Sequence, residues 1–307
     1  MKKILKILLG LLVLLSLLFY LNIASDISVE DLKKKYANEH SKFVKVDGMN
    51  VHYREEGEGV PIVLLHGTAA SLHTWDDWTK DLKRKYRVIR LDLPAFGLTG
   101  PHPGRDYQIK AYAEFLNNFL EELNLPSFHL AGNSLGGEIA WFFTSQHPEK
   151  VRKLVLIDPA GYIENRELPL VFQLAQTPVL NKLIGYITPK AFIQKNIEEV
   201  YFEDKKIRPD LVTRYHEMSL RTGNRVAFID RANTIKDKEN ILQLKKIQTS
   251  TLIVWGKEDT WIPVEHGQLF LSDLPNAELV VMEKVGHVPM EESPKESLKI
   301  VWDFLEK

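Results

Sequence analysis

From Phe43 onward, short apolar runs alternate with stretches of helical periodicity. The run Val60-Pro61-Ile62-Val63-Leu64-Leu65 is continuous, the mark of a strand covered on both faces. Further buried strands are expected at 87–91, 128–131, 153–157, 251–255 and 278–282. Helical spacing predicts a helix over 109–123, with Tyr112, Phe115, Leu116, Phe119 and Leu123 on one face. Strands alternating with helices imply an α/β fold with a mostly parallel sheet between two helical layers. Its start is antiparallel, with strands at 43–46 and 50–55 about the Asp47-Gly48 turn signal.

One interval breaks the alternation. After 157 no buried strand pattern returns until 251, a stretch too long for a loop. It carries helical signals, bulky apolar residues and prolines at Pro169, Pro178, Pro189 and Pro209. Residues 161–240 are therefore expected to be a helical cap or lid, inserted in a core made of 43–160 and 241–307.

The N-terminus follows another pattern. Lys2, Lys3 and Lys6 precede an uncharged run from Ile7 to Ala24, interrupted by Gly10, Ser16 and Asn22. As a helix the run spans roughly 27 Å, close to the hydrocarbon thickness of a bilayer. Residues 1–24 are expected to be an uncleaved single-pass transmembrane anchor with the catalytic domain on the extracytoplasmic side. The competing reading is a secretory signal peptide. Asn22-Ile23-Ala24-Ser25 lacks a clear small-x-small cleavage pattern, which favours the anchor. Residues 25–42, charged and with a short helical pattern over 29–37, are expected to link it to the core.

Composition narrows the chemistry. Forty basic residues against 41 acidic ones leave no basic excess for nucleic acid, so that partner is set aside. The absence of cysteine removes disulfides, thiolate catalysis and zinc–thiolate sites together. His, Asp and Glu show no credible metal-ligand spacing, so no metal is expected; the serine chemistry set out below needs no cofactor. The stretch Gly132-Asn133-Ser134-Leu135-Gly136 is more telling, because it joins a predicted strand directly to a helical pattern. Gly-x-Ser-x-Gly in that setting is a nucleophile elbow, a strained turn that lifts a serine hydroxyl above the sheet edge. It lacks the Lys-Ser/Thr of a phosphate-binding loop.

The chain resembles the α/β-hydrolase superfamily over roughly residues 43–305. Leu64-Leu65-His66-Gly67-Thr68 is similar to its oxyanion-loop motif, and Asp92-Leu93-Pro94-Ala95-Phe96-Gly97 to its Asp-x-Pro-x-x-Gly turn. Trp255-Gly256-Lys257-Glu258-Asp259 matches the acid loop and Gly286-His287-Val288-Pro289 the histidine loop. The order Ser, Asp, His is the one this fold uses. Within the superfamily the chain resembles the capped branch of carboxylesterases, cofactor-free haloperoxidases and ring-cleavage carbon–carbon hydrolases.

That resemblance implies Ser134 as nucleophile, His287 as base and Asp259 as the acid that orients it. Asp158, ending the strand in Ile157-Asp158-Pro159, is the rival acid, since some capped relatives place theirs there. The amides of Leu135 and Thr68 are expected to form the oxyanion hole. Of the other histidines, His52 lies in an early strand, His147 ends a helix, and His66 fits loop structure. Phe96, Leu98 and Phe172 are candidate pocket residues. Leu174, Leu180, Tyr186, Phe192 and Tyr201 serve an acyl pocket or helix packing equally well, and Trp75 and Trp78 are read as core.

The expected function is a membrane-tethered serine hydrolase of hydrophobic or lipid-like small-molecule carboxylic esters. Alternatives are a ring-cleavage carbon–carbon hydrolase, a cofactor-free haloperoxidase, or a non-catalytic binding protein on the same scaffold. The carbon–carbon hydrolases commonly carry tryptophan after the histidine, where this chain has Val288.

Overall fold

Eight strands form one sheet in the order β1-β2-β4-β3-β5-β6-β7-β8. The computed structural model describes residues 3–7, 9–10, 23–162, 168–234 and 239–307. Most of the expected anchor lies outside the described residues, as do 163–167 and 235–238 of the expected cap. Among the described residues no helix is long and apolar enough to cross a membrane.

The strands β1 (Ser41–Val46) and β2 (Met49–Glu56) form an antiparallel hairpin. Asp47 and Gly48 turn it with φ of 48° and 77°, the paired positive values a tight two-residue hairpin needs. β2 pairs antiparallel with β4 (Tyr86–Leu91), and every later pairing is parallel. At the centre, β3 (Val60–Leu65) lies between β4 and β5 (Phe128–Asn133). Beyond it come β6 (Val151–Ile157), β7 (Thr251–Gly256) and β8 (Ala277–Met282).

The alternation of β3 shows why its apolar run is unbroken. Ile62 and Leu64 enter one core with Trp75, Trp78, Leu298 and Val301, while Val63 and Leu65 enter the other. Trp75 and Trp78 are fully buried, and the Trp78 indole donates to Ser297 Oγ at 3.1 Å. On the opposite face, helix Ile109–Glu122 buries Tyr112, Phe115, Leu116 and Phe119 against the sheet.

Between β6 and β7 stand helices Leu170–Gln176, Leu180–Ile184, Lys190–Val200, Pro209–Ser219 and Asn224–Ala232. The N-terminal segment, expected as a link with a short helix, packs on them. Its helix Val29–Tyr36 is capped by Ser28 and buries Leu32 against Leu98 and Met218. Ile27 pairs with the chain about Arg221, and residues 41–42 already belong to β1.

The turn from β5 into helix Leu135–Gln146 is the tightest point. A Cβ on Gly132 would stand 2.1 Å from the Gly136 carbonyl oxygen, and one on Gly136 would stand 2.2 Å from the Leu65 carbonyl oxygen. Both obstacles are backbone, which cannot step aside. Gly136→Ala is therefore expected to lower unfolding stability by roughly 2–3 kcal/mol, read as a lower urea midpoint at unchanged m. Gly104→Ala, which meets only the His102 ring at 3.2 Å, serves as the near-neutral reference. Equal midpoints for the two variants would contradict this account of the turn.

Candidate active site

Ser134 sits between β5 and the following helix with φ 53° and ψ −116°. A non-glycine residue there carries strain of order 1–3 kcal/mol that the surroundings must hold. They do so through backbone bonds: Ser134 N donates to Ile157 O at 3.0 Å, and Ser134 O accepts from Glu138 N and Ala160 N. The amide of Leu135 begins the helix, where backbone N–H groups lack intrahelical acceptors and the helix dipole is positive. Gly67 packs directly on the elbow, since a Cβ there would stand 3.2 Å from Ser134 Cβ, and this brings Thr68 to the same cavity.

His287 is buried, and its Nδ1 lies 2.6 Å from Asp259 Oδ2. Asp259 Oδ1 accepts from the amides of Trp261 and Ile262 at 2.8 and 2.9 Å, so its second oxygen faces the imidazole. With Nδ1–H donated to a carboxylate, Nε2 is the nitrogen with the lone pair. That Nε2 is buried and has no hydrogen-bond partner among the described residues. Ser134 and His287 line one cavity, shared with Phe96, Phe172, Trp261 and Ile193.

Asp259 is thus the carboxylate bonded to His287, with Asp158 behind it. Asp158 is fully buried at φ 42°, and its Oδ1 accepts from Gly256 N at 2.8 Å. Burial, and then the charge of Asp259, push its carboxyl well above the usual range, which favours its protonated form beside Asp259. Ligand atoms of Asp158, Asp259 and His287 lie within 4.8 Å of one another, the one such grouping among the described residues. Within it the Asp259–His287 bond and the Gly256 amide take up Asp259 Oδ2, His287 Nδ1 and Asp158 Oδ1.

Three residues missed in the sequence brace this centre. Asn133 Nδ2 donates to Ile157 O and His287 O, at 3.1 and 2.9 Å, joining the elbow to the histidine loop. The buried Glu292 carboxylate accepts from the amides of Phe202, Glu203 and Gly286. Trp261 leans on His287 at 5.8 Å between ring centroids and on Phe172 at 5.6 Å. Its only sequence signal was its place two residues after Asp259.

Other expectations sort clearly. Phe96 and Phe172 line the cavity, whereas Leu98 does not; it packs with Leu32 and Met218, which corrects its candidacy. Of the cap residues, Phe192 lines the cavity, Tyr201 is buried with its hydroxyl on Glu291, and Leu180 and Tyr186 are exposed. His66 bridges loops, Nδ1 to Gly67 O and Nε2 accepting from Leu93 N.

A second serine–histidine–carboxylate chain exists elsewhere. His52 Nδ1 lies 2.7 Å from Asp92 and its Nε2 2.9 Å from Ser41 Oγ. The Ser41 hydroxyl is also engaged by Asn38 and Arg54, and it does not line the cavity. Asp92 accepts from Leu72 and Leu98 amides as well, so this chain staples loops.

Residues 60–294 match the family described as alpha/beta hydrolase fold. The chain belongs to the α/β-hydrolase fold family. An uncharacterized hydrolase, YugF of Bacillus subtilis, is 29% identical over 85% of this chain and 96% of its own length. The 2-hydroxy-6-oxo-6-phenylhexa-2,4-dienoate hydrolase of Comamonas testosteroni is 27% identical over 86% of this chain and 96% of its own. Among solved structures, a bacterial membrane phospholipase A described as a virulence factor is 28% identical, with a TM-score of 0.72. That alignment covers 100% of this chain and 98% of the other.

The buried acid pair of this α/β-hydrolase has a pH signature. A carboxyl whose pKa is raised by folding contributes fully below its unfolded value of 3.8, and that contribution is lost as pH climbs toward the folded value. The wild type is therefore expected to lose stability relative to Asp158→Asn as pH rises above about 4, the loss ending once pH passes the raised folded value, because the amide does not titrate. Denaturant midpoints of the two proteins that run parallel across this range would contradict a protonated Asp158.

Proposed function

We propose that this α/β-hydrolase is a membrane-tethered serine hydrolase of carboxylic esters with hydrophobic, lipid-like acyl groups. The observation that carries the reading is the bare, buried Nε2 of His287, a residue that lines the same cavity as Ser134 while its Nδ1 is held by Asp259. A serine hydroxyl is a weak nucleophile until a base takes its proton. In this reading Ser134 Oγ attacks the ester carbonyl as its proton passes to His287 Nε2. The Asp259 carboxylate stabilises the resulting imidazolium, and the amides of Leu135 and Thr68 hold the oxyanion. Each amide supplies on the order of 3 kcal/mol in the transition state. Collapse expels the alcohol with the proton from His287, and water then enters by the same route to free the acid and Ser134.

The substrate class is argued from charge. Apart from His287, Arg225 is the charged residue among the cavity's described lining, and its guanidinium is paired with Asp26 at 2.5 Å. Neutral polar residues such as Thr188, Asn196, Ser219 and Asn224 share the wall with Val171, Phe172, Phe192 and Ile193 from the cap. A neutral, greasy ester suits it, whereas a buried anion without a free counter-charge is costly. The apolar run before Ala24, and the likeness to a membrane phospholipase A, support a tethered enzyme acting on lipid-like substrates.

A second reading, carbon–carbon hydrolysis, is favoured by relatives named for dienoate substrates. Initial rates on p-nitrophenyl esters of increasing acyl length, beside a dienoate ring-cleavage product, separate the two. Ester turnover that falls by roughly 10³-fold or more in Ser134→Ala is expected. Dienoate cleavage with no ester turnover by folded wild type would transfer the assignment to the second reading.

A further inference from the structure

The cap segment 168–197 has two unlike faces. Val171, Phe172, Ile184, Phe192 and Ile193 line the catalytic cavity from its inner side. On its outer side Val179, Leu180, Leu183 and Tyr186 are bare, with exposures of 68%, 40%, 40% and 61%. Leu180 and Leu183 share one face of the short helix Leu180–Ile184, and Val179 stands one turn before Leu183. Four large apolar side chains within eight residues and left in water mark a surface made to be covered.

Two observations identify the cover. The first is where the N-terminal apolar run joins the fold. Ile23 pairs antiparallel with Ile187, Ala24 N donates to Tyr186 O at 3.0 Å, and Ile23 is itself 47% exposed. The run that starts at Ile7 is long enough to reach across a bilayer, and it enters the protein beside this patch. The second is charge. From 168 to 197 the sequence holds Lys182, Lys190 and Lys195 and no Asp or Glu, in a chain whose net charge is −1. Carboxylates return at once at Glu198 and Glu199, outside the exposed turn, and within 179–186 the one charged residue is Lys182. Apolar side chains around a lysine suit a bilayer carrying anionic headgroups.

We infer that the cap turn Val179–Tyr186 docks on the lipid bilayer next to the anchor, so that the inner side of the same segment opens the catalytic cavity toward lipid. This rests on the proposed membrane tether, and on the proposed lipid-like ester chemistry for its purpose. Docked in this way, the cap takes a lipid ester from the bilayer without passing it through water.

The chain has no cysteine, so a single Leu183→Cys in the full-length protein carries a unique polarity-sensitive fluorophore. Glu122→Cys, at the end of helix Ile109–Glu122, carries the reference label. Both proteins are reconstituted in phosphatidylcholine–phosphatidylglycerol vesicles containing nitroxide-bearing lipid. The label at 183 is expected to shift to the blue and to be quenched several-fold more than the label at 122. Equal quenching overturns the inference. So does a concentration-dependent shift in detergent without lipid, which would assign the patch to a second copy of the chain.

A functional arm uses Val179→Asp with Leu183→Asp. Position 179 has φ 73°, which aspartate tolerates better than valine, so the fold is expected to accept the change. Hydrolysis of a long-chain ester in vesicles should fall by about tenfold, while a soluble short-chain ester keeps its rate within about twofold. Equal loss on both substrates would assign the patch to cap folding and overturn the inference. If wild type hydrolyses no ester but the label at 183 is selectively quenched, the docking stands and the ester assignment falls.

Discussion

The rest of the site depends on one backbone constraint, the positive φ of Ser134 between β5 and helix Leu135–Gln146. Neither strand nor helix geometry admits that conformation, and it survives because the chain on both sides has nowhere else to go. Gly132 and Gly136 let three backbone segments meet where any side chain would collide with a carbonyl. The parallel neighbours β3 and β6 clamp β5 from either edge. Asn133 then carries the constraint outward, since its amide bonds the carbonyl of His287. The serine and the histidine loop are thus positioned by one residue, across 154 positions of sequence.

Buried polarity is arranged around that turn in a graded way. His52 and Asp92 form as short a pair as His287 and Asp259, yet every polar atom of the first constellation is spoken for. In the second, Nε2 of the imidazole is left bare. An unmade hydrogen bond in a buried setting costs free energy, and this one stands on the residue that lines the cavity with Ser134. Behind the pair, burial and the charge of Asp259 raise the Asp158 carboxyl, which favours its neutral form in the dry site the two acids share. The C-terminal end of helix Lys190–Val200 closes the arrangement, because Val200 O accepts from His287 N at 2.8 Å. Cap and histidine loop are therefore one mechanical unit.

The sheet was legible because its central strands are buried on both faces and leave unbroken apolar runs such as 60–65. Strand ends were less so: β5 runs on to Asn133 and β6 starts at Val151, at positions where backbone pairing and not apolarity decides. The elbow was legible from its glycines, and the residues Ser134, Asp259 and His287 from motif order. The braces were not, since Asn133 and Glu292 act through backbone groups remote in sequence and no periodicity points to them. Phe96 and Leu98 looked equivalent in the chain, but the turn at Gly97, with φ 53°, sends them to different clusters. The cap was the hardest part, because a helix as short as Leu180–Ile184 has too few turns to reveal which face is covered.

The most direct test of the central claim is to map where a fluorophosphonate reacts. The full-length protein is treated, digested, and the adduct located by mass spectrometry, with His287→Gln treated in parallel. A single adduct on Ser134 that is lost in His287→Gln is the expected result, because only there do a strained serine, a bare imidazole nitrogen and oriented amides meet. No adduct on the folded wild type, or an adduct on Ser41 of the His52–Asp92 constellation, would contradict the account.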